Sequence, residues 1–245
     1  RSSSWARWSD ARPMDAPSLQ GLLTPPALAL FGLCIGSFLN VVIHRMPLML
    51  EREWRAESAE LLGVQLEPAE TLSLSRPRSR CPSCGHAITW YENIPVLSYL
   101  WLRGRCSECR TRISPRYPLV EMLTGILFGL VGWRFGATPV ALLWCGFAAV
   151  LVALSGIDWD TTFLPDNLTL PLLWAGLISS AAGWTIPLSE SVWGAVVGYL
   201  SLWSVYWLFK LTTGTEGMGF GDFKLLAALG ATRSATCRPT PTNLR

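Results

Sequence analysis

Long apolar runs separated by polar connections dominate the sequence and predict its secondary structure. A helix that crosses a bilayer needs about 20 mostly apolar residues. Five runs approach or meet this length, and they predict transmembrane helices at residues 22–43, 117–135, 138–156, 168–186 and 192–211. A last apolar stretch at residues 223–231 is too short to cross a bilayer. The pattern therefore predicts an all-α polytopic membrane protein.

One large polar region interrupts this pattern between the first two predicted spans. Its first part, residues 51–70, is rich in Glu and predicts a solvated helix, whereas its second part is rich in Cys and Pro and predicts a compact loop domain. The expected organisation is a polar N-terminal segment at residues 1–21, a first span at 22–43, a loop domain at 44–116, a transmembrane core at 117–231 and a polar tail at 232–245.

Composition narrows the class of protein further. Half of the 245 residues are apolar and 15% are charged, whereas an ordinary soluble domain carries about 25% charged residues. The thirteen Trp residues also favour a membrane protein, because Trp is enriched at membrane–water interfaces. The net charge of +3 is small. These values argue against a soluble protein and against a protein that binds nucleic acid.

The charges of the large loop predict its orientation. Residues 44–116 contain eleven Arg and eight Glu, and basic loops stay on the cytoplasmic side of a membrane. Alternating spans then place the connections at residues 157–167 and 212–222 on that same side. We expect a site built by these two connections to lie at the cytoplasmic face.

Four of the seven cysteines form two CxxC pairs in this loop, with 21 residues between the pairs. This spacing is typical of a zinc ribbon, in which four thiolates hold one tetrahedral ion. The predicted ligands are Cys81, Cys84, Cys106 and Cys109. A redox dithiol or two disulfides are the alternatives, although a cytoplasmic location disfavours stable disulfides.

The other residues near these cysteines have simpler interpretations. Gly85 and Gly104 flank the pairs and predict tight knuckle turns, and His86 is surplus to a four-Cys site and is expected at the surface. Cys34 and Cys145 lie in apolar segments, where we expect small hydrophobic side chains, and Cys237 lies in the polar tail.

Eight Arg residues flank or lie within the four-Cys loop. Orientation of the loop and contact with anionic lipid headgroups is the ordinary interpretation, and recognition of a substrate is the alternative. The residues are Arg76, Arg78, Arg80, Arg103, Arg105, Arg110, Arg112 and Arg116.

Two acidic segments carry the candidate chemistry. The first has Asp158, Asp160 and Asp166, and the second has Asp222 after three alternating glycines, which let the backbone turn sharply and approach a partner closely. Acids at helix starts are often simple caps, and Asp166 suits that role. Ionisable groups at a bilayer boundary are nevertheless costly and usually functional. Asp222 is expected at the start of a helix, near its positive dipole end.

Three motifs in the order of the chain carry a family resemblance. They are GSFLNVVIHRMP at residues 36–47, IDWDTTFLPD at residues 157–166 and GFGDFKL at residues 219–225. Together with the paired CxxC loop, they resemble the prepilin peptidases, a family of GxGD membrane aspartic peptidases. The resemblance implies catalysis by Asp158 and Asp222, with structural or positioning roles for Asp160 and Asp166.

The resemblance also implies a substrate, a second activity and a location. A member of this family cleaves the leaders of type IV prepilins or pseudopilins, and methylates the new N-terminal amine with S-adenosylmethionine. It resides in the bacterial inner membrane and cuts at the cytoplasmic face. The sequence contains no glycine-rich methyltransferase fingerprint, so no residue is assigned to S-adenosylmethionine.

The two ends of the chain depart from the family pattern. The sequence begins without Met, so we interpret residues 1–13 as translated upstream sequence and Met14 as the natural start. The family continues past the GxGD helix with further apolar spans, whereas this chain changes abruptly to a polar, Pro-containing tail after Ala231. This change indicates a frameshift or truncation, and we expect it to weaken the activity by removing helices that pack around Asp222.

Two other functions are compatible with parts of the sequence. In a membrane-anchored zinc-ribbon scaffold, the Asp residues would be caps only. In a membrane thiol oxidoreductase, the CxxC pairs would be the reactive groups. Metal content and a cleavage assay distinguish these hypotheses from a peptidase.

Overall fold

The computed structural model describes residues 23–65, 72–215 and 217–232. This part of the chain is helical and contains no β-strand, only two isolated bridges. A 3₁₀ turn lies at Tyr91–Asn93. The helices are α1 (Pro25–Leu62), α2 (Leu97–Trp101), α3 (Arg116–Phe135), α4 (Pro139–Thr161), α5 (Asp166–Ala181), α6 (Leu188–Thr213) and α7 (Phe220–Ala231). The predicted fold class is confirmed. The expected N-terminal segment, Cys237 and the tail from residue 233 onward lie outside the described residues.

Four of the described helices, α1, α3, α4 and α6, are long and apolar enough to cross a membrane. The chain is therefore a multi-pass membrane protein. The span predicted at residues 168–186 corresponds to α5, which has 16 residues. At 1.5 Å per residue α5 is about 24 Å long, which is shorter than the roughly 30 Å hydrocarbon core.

Helix α1 is longer than the sequence pattern predicts. The first span and the Glu-rich helix were expected as separate elements, but they form one helix of 38 residues, about 57 Å long. Pro47 lies inside this helix without ending it, although an interior proline removes one intrahelical hydrogen bond and its ring crowds the preceding turn. The helix ends at Gly63, which adopts φ 66°, and Val64 then donates to the carbonyl oxygen of Ala59. This is a Schellman motif.

The chain divides into two compact units, residues 1–155 and 156–245. In the first unit, α1 and α3 pack antiparallel through small residues, as membrane helices commonly do. A Cβ atom at Gly36 would lie 2.6 Å from the Cα atom of Glu121, so the two backbones touch there. Near the other end of this pair, Leu28, Phe128 and Cys145 form a buried apolar cluster. The prediction that Cys145 is a small core residue is confirmed, whereas Cys34 is exposed on α1.

In the second unit, α7 packs against both α5 and α6. Helix α6 runs antiparallel to α7, and the two backbones meet so closely at Gly194 and Gly230 that neither position has room for a Cβ atom. Ser191 donates a hydrogen bond of 2.7 Å to the carbonyl oxygen of Ala231. Helix α5 runs parallel to α7, with Gly176 beside Ala231. The N-termini of α5 and α7 therefore lie at the same end of this unit.

Candidate active site and metal centre

Helix α4 carries the first acidic segment further than predicted. Residues 157–167 were expected to form a connection, but α4 continues to Thr161 and is followed by Thr162 at φ 50°. Asp158 and Asp160 therefore project from the last turn of a helix, and both are exposed. Ile157 beside them is fully buried. This burial fixes the rotation of the turn that presents Asp158.

Asp222 lies in the first turn of α7, as predicted. None of the three glycines before it adopts a positive φ, so the expected sharp glycine turn is wrong. Close approach is instead confirmed at Gly221, because a Cβ atom there would lie 2.6 Å from the Cβ atom of Leu164. At Gly219, the nearest atom to a built Cβ is the Oδ2 atom of Asp222 at 3.8 Å. Gly221 is therefore a position where the packing against Leu164 requires glycine, and a Cβ atom at Gly217 would lie 2.7 Å from the ring of Phe209.

Asp158 acts electrostatically on Asp222, the other predicted catalytic carboxylate. Burial raises the pKa of Asp222 above its ordinary value, and the negative charge of Asp158 raises this pKa further. The backbone of Gly219 opposes the rise by a hydrogen bond to the Asp222 carboxylate. Two carboxylates that interact in this way tend to hold one shared proton. The catalytic roles of Asp158 and Asp222 stay a prediction.

An ion pair connects the two acidic segments. The ammonium group of Lys224 donates to both carboxylate oxygens of Asp166, at 2.7 and 2.6 Å. Asp166 is the first residue of α5 and the N-cap position is taken by Pro165, so Asp166 is not the N-cap residue. Sequence reasoning did not identify Lys224, although its position two residues after Asp222 was a signal. This pair holds the N-terminus of α5 against α7.

The four predicted metal ligands lie together. Their Sγ atoms are all within 4.8 Å of one another, and the Sγ–Sγ distances are 3.7 Å for Cys81–Cys109 and 3.9 Å for Cys84–Cys106. These distances far exceed the roughly 2.0 Å of a disulfide. Four sulfurs at about 2.3 Å from one tetrahedral ion lie about 3.8 Å apart. The cluster therefore has the dimensions that a tetrahedral metal ion requires.

Two similar knuckles build this cluster. In the first, Cys81 donates its backbone N–H to His86 and accepts from Gly85, which adopts φ 73°. In the second, Cys106 donates to Thr111 and accepts from Arg110, which adopts φ 58°.

The predicted role of Gly85 in a knuckle is thus confirmed. Gly104 is not the equivalent position of the second knuckle, where Arg110 adopts the left-handed conformation. Gly104 has φ 65° in the turn before that knuckle, and a Cβ atom there would lie 2.8 Å from the hydroxyl of Tyr99.

The surroundings of the cluster shift the pKa values of two of its thiols in opposite directions. Hydrogen bonds from Thr111 lower the pKa of Cys109 to about 6. At Cys84, a backbone hydrogen bond at His86 lowers the pKa, but burial and the neighbouring thiols outweigh it and raise the pKa to about 12. Four thiolates this close repel one another, and a bound metal ion removes that repulsion.

The carboxylate of Glu92 contacts His86 and Thr89, next to the first knuckle. It accepts hydrogen bonds from the backbone and hydroxyl of Thr89 at 2.8 and 2.7 Å, and its Oε2 atom lies 3.2 Å from Nε2 of His86. Hydrogen bonds, the largest from Ser107, lower the pKa of Glu92 to about 2. His86 is thus a half-buried partner of Glu92 and not the surface residue that we expected.

The N-terminal motif at residues 36–47 joins α1 to the rest of its unit. Gly36 contacts the backbone of α3, and Asn40 donates to the carbonyl oxygen of Tyr117 at 3.1 Å. Ser37 lies 3.4 Å from the side-chain oxygen of Asn93. Glu121 of α3, which sequence reasoning did not single out, accepts a 2.8 Å hydrogen bond from the backbone of Val96. The motif therefore has a structural role in fixing the four-Cys loop.

Comparison with known proteins gives two family matches. Residues 30–135 match the Bacterial Peptidase A24 N-terminal domain, and residues 145–236 match the Type IV leader peptidase family. The first match contains the four cysteines, and the second contains both candidate catalytic aspartates. No solved structure matches the chain significantly.

Several curated proteins are similar over most of the chain. Three of them, all named prepilin leader peptidase/N-methyltransferase, come from Pseudomonas putida, Pseudomonas aeruginosa and Neisseria gonorrhoeae. They are 58%, 56% and 51% identical to this chain over 82%, 82% and 84% of its length. The chain spans 69%, 70% and 73% of these relatives.

Substitution of Gly221 is expected to disturb the approach of the two acidic segments. Gly221→Ala introduces a methyl group against Leu164, so we expect a loss of about 1–3 kcal/mol in stability and faster amide exchange at residues 162–168. Gly219→Ala is the matched control, because its Cβ atom meets no protein atom closer than 3.8 Å. Amide hydrogen exchange at residues 162–168 is measured for both variants in nanodiscs. Equal exchange rates in the two variants would contradict the contact between Gly221 and Leu164.

The raised pKa of Asp222 predicts a pH-dependent cost to stability. Below its ordinary pKa of 3.8 the carboxyl is neutral in the folded and unfolded states, so it costs nothing. As the pH rises through the folded-state pKa, the unfolded state ionises more readily and folded stability is lost. Asp222→Asn should therefore raise the thermal midpoint near neutrality and leave it unchanged in acid. Glu57→Gln, on the exposed polar end of α1, is the control, and a gain that is independent of pH would refute the prediction.

Proposed function

This chain belongs to the type IV leader peptidase family, and we propose that it is a membrane aspartic endopeptidase that removes the leader of type IV prepilins or pseudopilins, with Asp158 and Asp222 as its catalytic pair. The observation that carries this proposal is the electrostatic effect of Asp158, in the last turn of α4, on Asp222, in the first turn of α7. Its relatives are named for the same reaction.

The unlike environments of the two aspartates support distinct roles. Asp158 is exposed to solvent, whereas Asp222 is partly buried and its pKa is raised by burial and by Asp158. We assign the ionised carboxylate to Asp158 and the protonated carboxyl to Asp222. Pairs of acids whose environments push their pKa values apart commonly divide the acid and base roles in this way.

The reaction then needs only these two groups and a water molecule. Asp158 takes a proton from the water, whose oxygen attacks the scissile carbonyl carbon, while the proton of Asp222 hydrogen-bonds to the carbonyl oxygen. The tetrahedral intermediate collapses when the C–N bond breaks, and Asp158 gives the proton that it took from water to the leaving nitrogen. Lys224 and Asp166 act as positioning residues in this scheme, because their ion pair holds α7 beside the start of α5.

We propose that the metal ion of the four-Cys loop is zinc and that its role is structural. All four ligands are thiolates, which zinc favours in closed structural sites. With four protein ligands, no position is open for substrate. A bound ion would join residues 81–84 to residues 106–109 and so fix the two knuckles to each other.

The name of the relatives includes a second activity, and we propose that this chain also methylates the new N-terminal amine. S-adenosylmethionine would supply the methyl group. The sequence has no glycine-rich fingerprint for this cofactor, and we therefore assign no residue to its binding.

We further propose that the chain lies in the bacterial inner membrane with its aspartate pair at the cytoplasmic side. The positive-inside rule supports this orientation. Seven of the eight Arg residues around the four-Cys loop are exposed, and Arg116 is half-buried. Such a distribution suits contact with anionic headgroups.

The rival functions are less well supported. A thiol oxidoreductase needs an accessible dithiol, whereas the two CxxC pairs here converge on one four-sulfur cluster. A scaffold without catalysis gives no reason for two carboxylates to be placed so that one raises the pKa of the other.

Loss of either carboxylate is expected to abolish cleavage. Asp158→Asn and Asp222→Asn each remove one member of the acid–base pair, so we expect leader cleavage to fall by about 10²–10⁴-fold or more. The measurement is cleavage of a purified prepilin by the full chain in nanodiscs. Glu190→Gln is the matched control, since Glu190 lies in the first turn of α6, at the end of the unit away from Asp222. Normal cleavage by either Asp variant would refute the assignment.

Metal analysis tests the proposed zinc site. We expect one zinc ion per chain by mass spectrometry, loss of that zinc in Cys106→Ser, and retention in Cys34→Ser because Cys34 lies on α1 away from the cluster. Chelation should increase protease cleavage between residues 81 and 109 without releasing the chain from the membrane. A wild-type chain that lacks zinc and carries two rapidly oxidised CxxC pairs would favour the oxidoreductase.

A further inference from the structure

The four-Cys loop has an apolar face that the described part of the chain leaves exposed. Its residues are Trp90, Tyr91, Leu97, Leu100 and Trp101, which we call the aromatic face. They expose 57–88% of their surface, and Trp101 is the most exposed of them. The rings of Trp90 and Tyr91 pack edge to face at 5.8 Å. In water, a patch of this kind would be costly.

Two side-chain contacts fix the depth of this segment relative to the spanning helices. Asn93 lies beside Ser37 of α1, and Val96 donates to Glu121 of α3. Ser37 precedes the charged end of the α1 apolar run at His44 by seven residues, and Glu121 follows Arg116 by five. At 1.5 Å per residue, these positions lie about 10 Å inside the basic end of the α1 apolar run and about 7 Å inside the N-terminus of α3.

This depth corresponds to the boundary between lipid headgroups and acyl chains. Amphipathic segments that lie in a membrane interface bury their apolar side about 5–10 Å into that boundary. Trp and Tyr are enriched at this level because their rings are apolar and their polar atoms remain close to water. The aromatic face has both the depth and the composition of an interfacial segment.

The backbone N–H groups of Val96 and Leu97 have hydrogen-bond partners within the protein, which a location with little water requires. Val96 adopts φ 60°, ψ −46°, and Leu97 donates to the carbonyl oxygen of Pro95, which together form a strained γ-turn. The N–H group of Val96 would be left without a partner in this turn, but Glu121 accepts it at 2.8 Å. Non-helical backbone at membrane depth is tolerated where such groups are satisfied.

The charges nearby are also arranged for this location. Residues 93–102 contain no charged side chain, and basic residues follow at Arg103 and Arg105. Glu92 is the one acid in residues 86–102, and it turns inward to Thr89 and His86. An uncharged apolar segment followed directly by Arg residues suits a membrane-surface anchor.

We infer that the aromatic face of the four-Cys loop is embedded in the lipid bilayer at the headgroup–acyl boundary, so that residues 90–101 form an interfacial anchor instead of part of a water-exposed loop. The occupant of this face is lipid, because its contacts with Ser37 and Glu121 place it inside the basic boundaries of the apolar parts of α1 and α3, and residues 93–102 carry no charge. This inference rests on the membrane helices and is independent of the proposed peptidase activity.

The experiment uses quenching of Trp fluorescence in the full chain, reconstituted in nanodiscs of phosphatidylcholine and phosphatidylglycerol. The emission of Trp101 is obtained as the difference between the wild type and Trp101→Phe. Phosphatidylcholine brominated on its acyl chains quenches from the lipid side, and acrylamide quenches from water. Trp54 is the matched control, measured with Trp54→Phe, because it lies on the polar extension of α1 beyond Arg45. Trp90→Phe supplies an independent probe, and zinc content verifies that each variant is folded.

We expect brominated lipid to reduce the Trp101 and Trp90 components at least about twofold, as for a ring at the acyl boundary, while acrylamide reduces mainly the Trp54 component. If acrylamide quenches Trp101 as strongly as Trp54 and brominated lipid does not, then the face lies in water and the inference is wrong. If Trp101 becomes shielded from acrylamide only when a prepilin is added, then the face binds protein and the assignment to lipid is equally overturned.

Discussion

Direct contact between backbones is the constraint on which both units depend. Gly36 meets α3, Gly194 meets Gly230, and Gly221 meets Leu164, in each case at distances that leave no room for a side chain. In a bilayer, helices gain little from hydrophobic burial, because lipid chains are as apolar as the helices, and close packing of small residues takes its place. The third contact positions the chemistry, since it brings the start of α7, with Asp222, against the segment that follows Asp158.

The catalytic pair and the metal centre meet the same electrostatic difficulty in different ways. Two carboxylates near one another are costly when both are ionised, and a shared proton, reflected in the raised pKa of Asp222, relieves the repulsion. Four thiols within 4.8 Å of one another cannot all ionise without a cation, and a metal ion provides it. In the proposed peptidase, the first arrangement leaves a proton available for catalysis. In the proposed zinc site, a bound ion would fix two knuckles and leave no coordination position for chemistry.

The four-Cys loop is tied to the membrane helices by polar groups that lie inside their ends. Ser37 and Glu121 reach Asn93 and Val96, and Arg45 donates to the carbonyl oxygen of Ser73. These contacts explain why the motif at residues 36–47, far in sequence from either aspartate, belongs with the peptidase motifs. They also place the aromatic face at the level of the membrane surface. Two sets of contacts therefore fix the loop. The four cysteines join its two knuckles, and hydrogen bonds attach it to α1 and α3.

The sequence by itself determined the helical membrane class and the clustering of the four cysteines, and it selected the two aspartates as candidates, because apolar run length, CxxC spacing and the GxGD motif are local patterns. It did not predict that α1 continues through Pro47, because an interior proline usually kinks or breaks a helix. The sequence also did not predict the ion pair of Lys224, the hydrogen bond to Glu121 or the inward orientation of Glu92. Each acts through a partner distant in the chain, and only the packing of helices decides which polar groups meet. Proximity of Asp158 and Asp222, 64 residues apart, is the clearest case, because the residues follow from motifs but their meeting follows from tertiary structure alone.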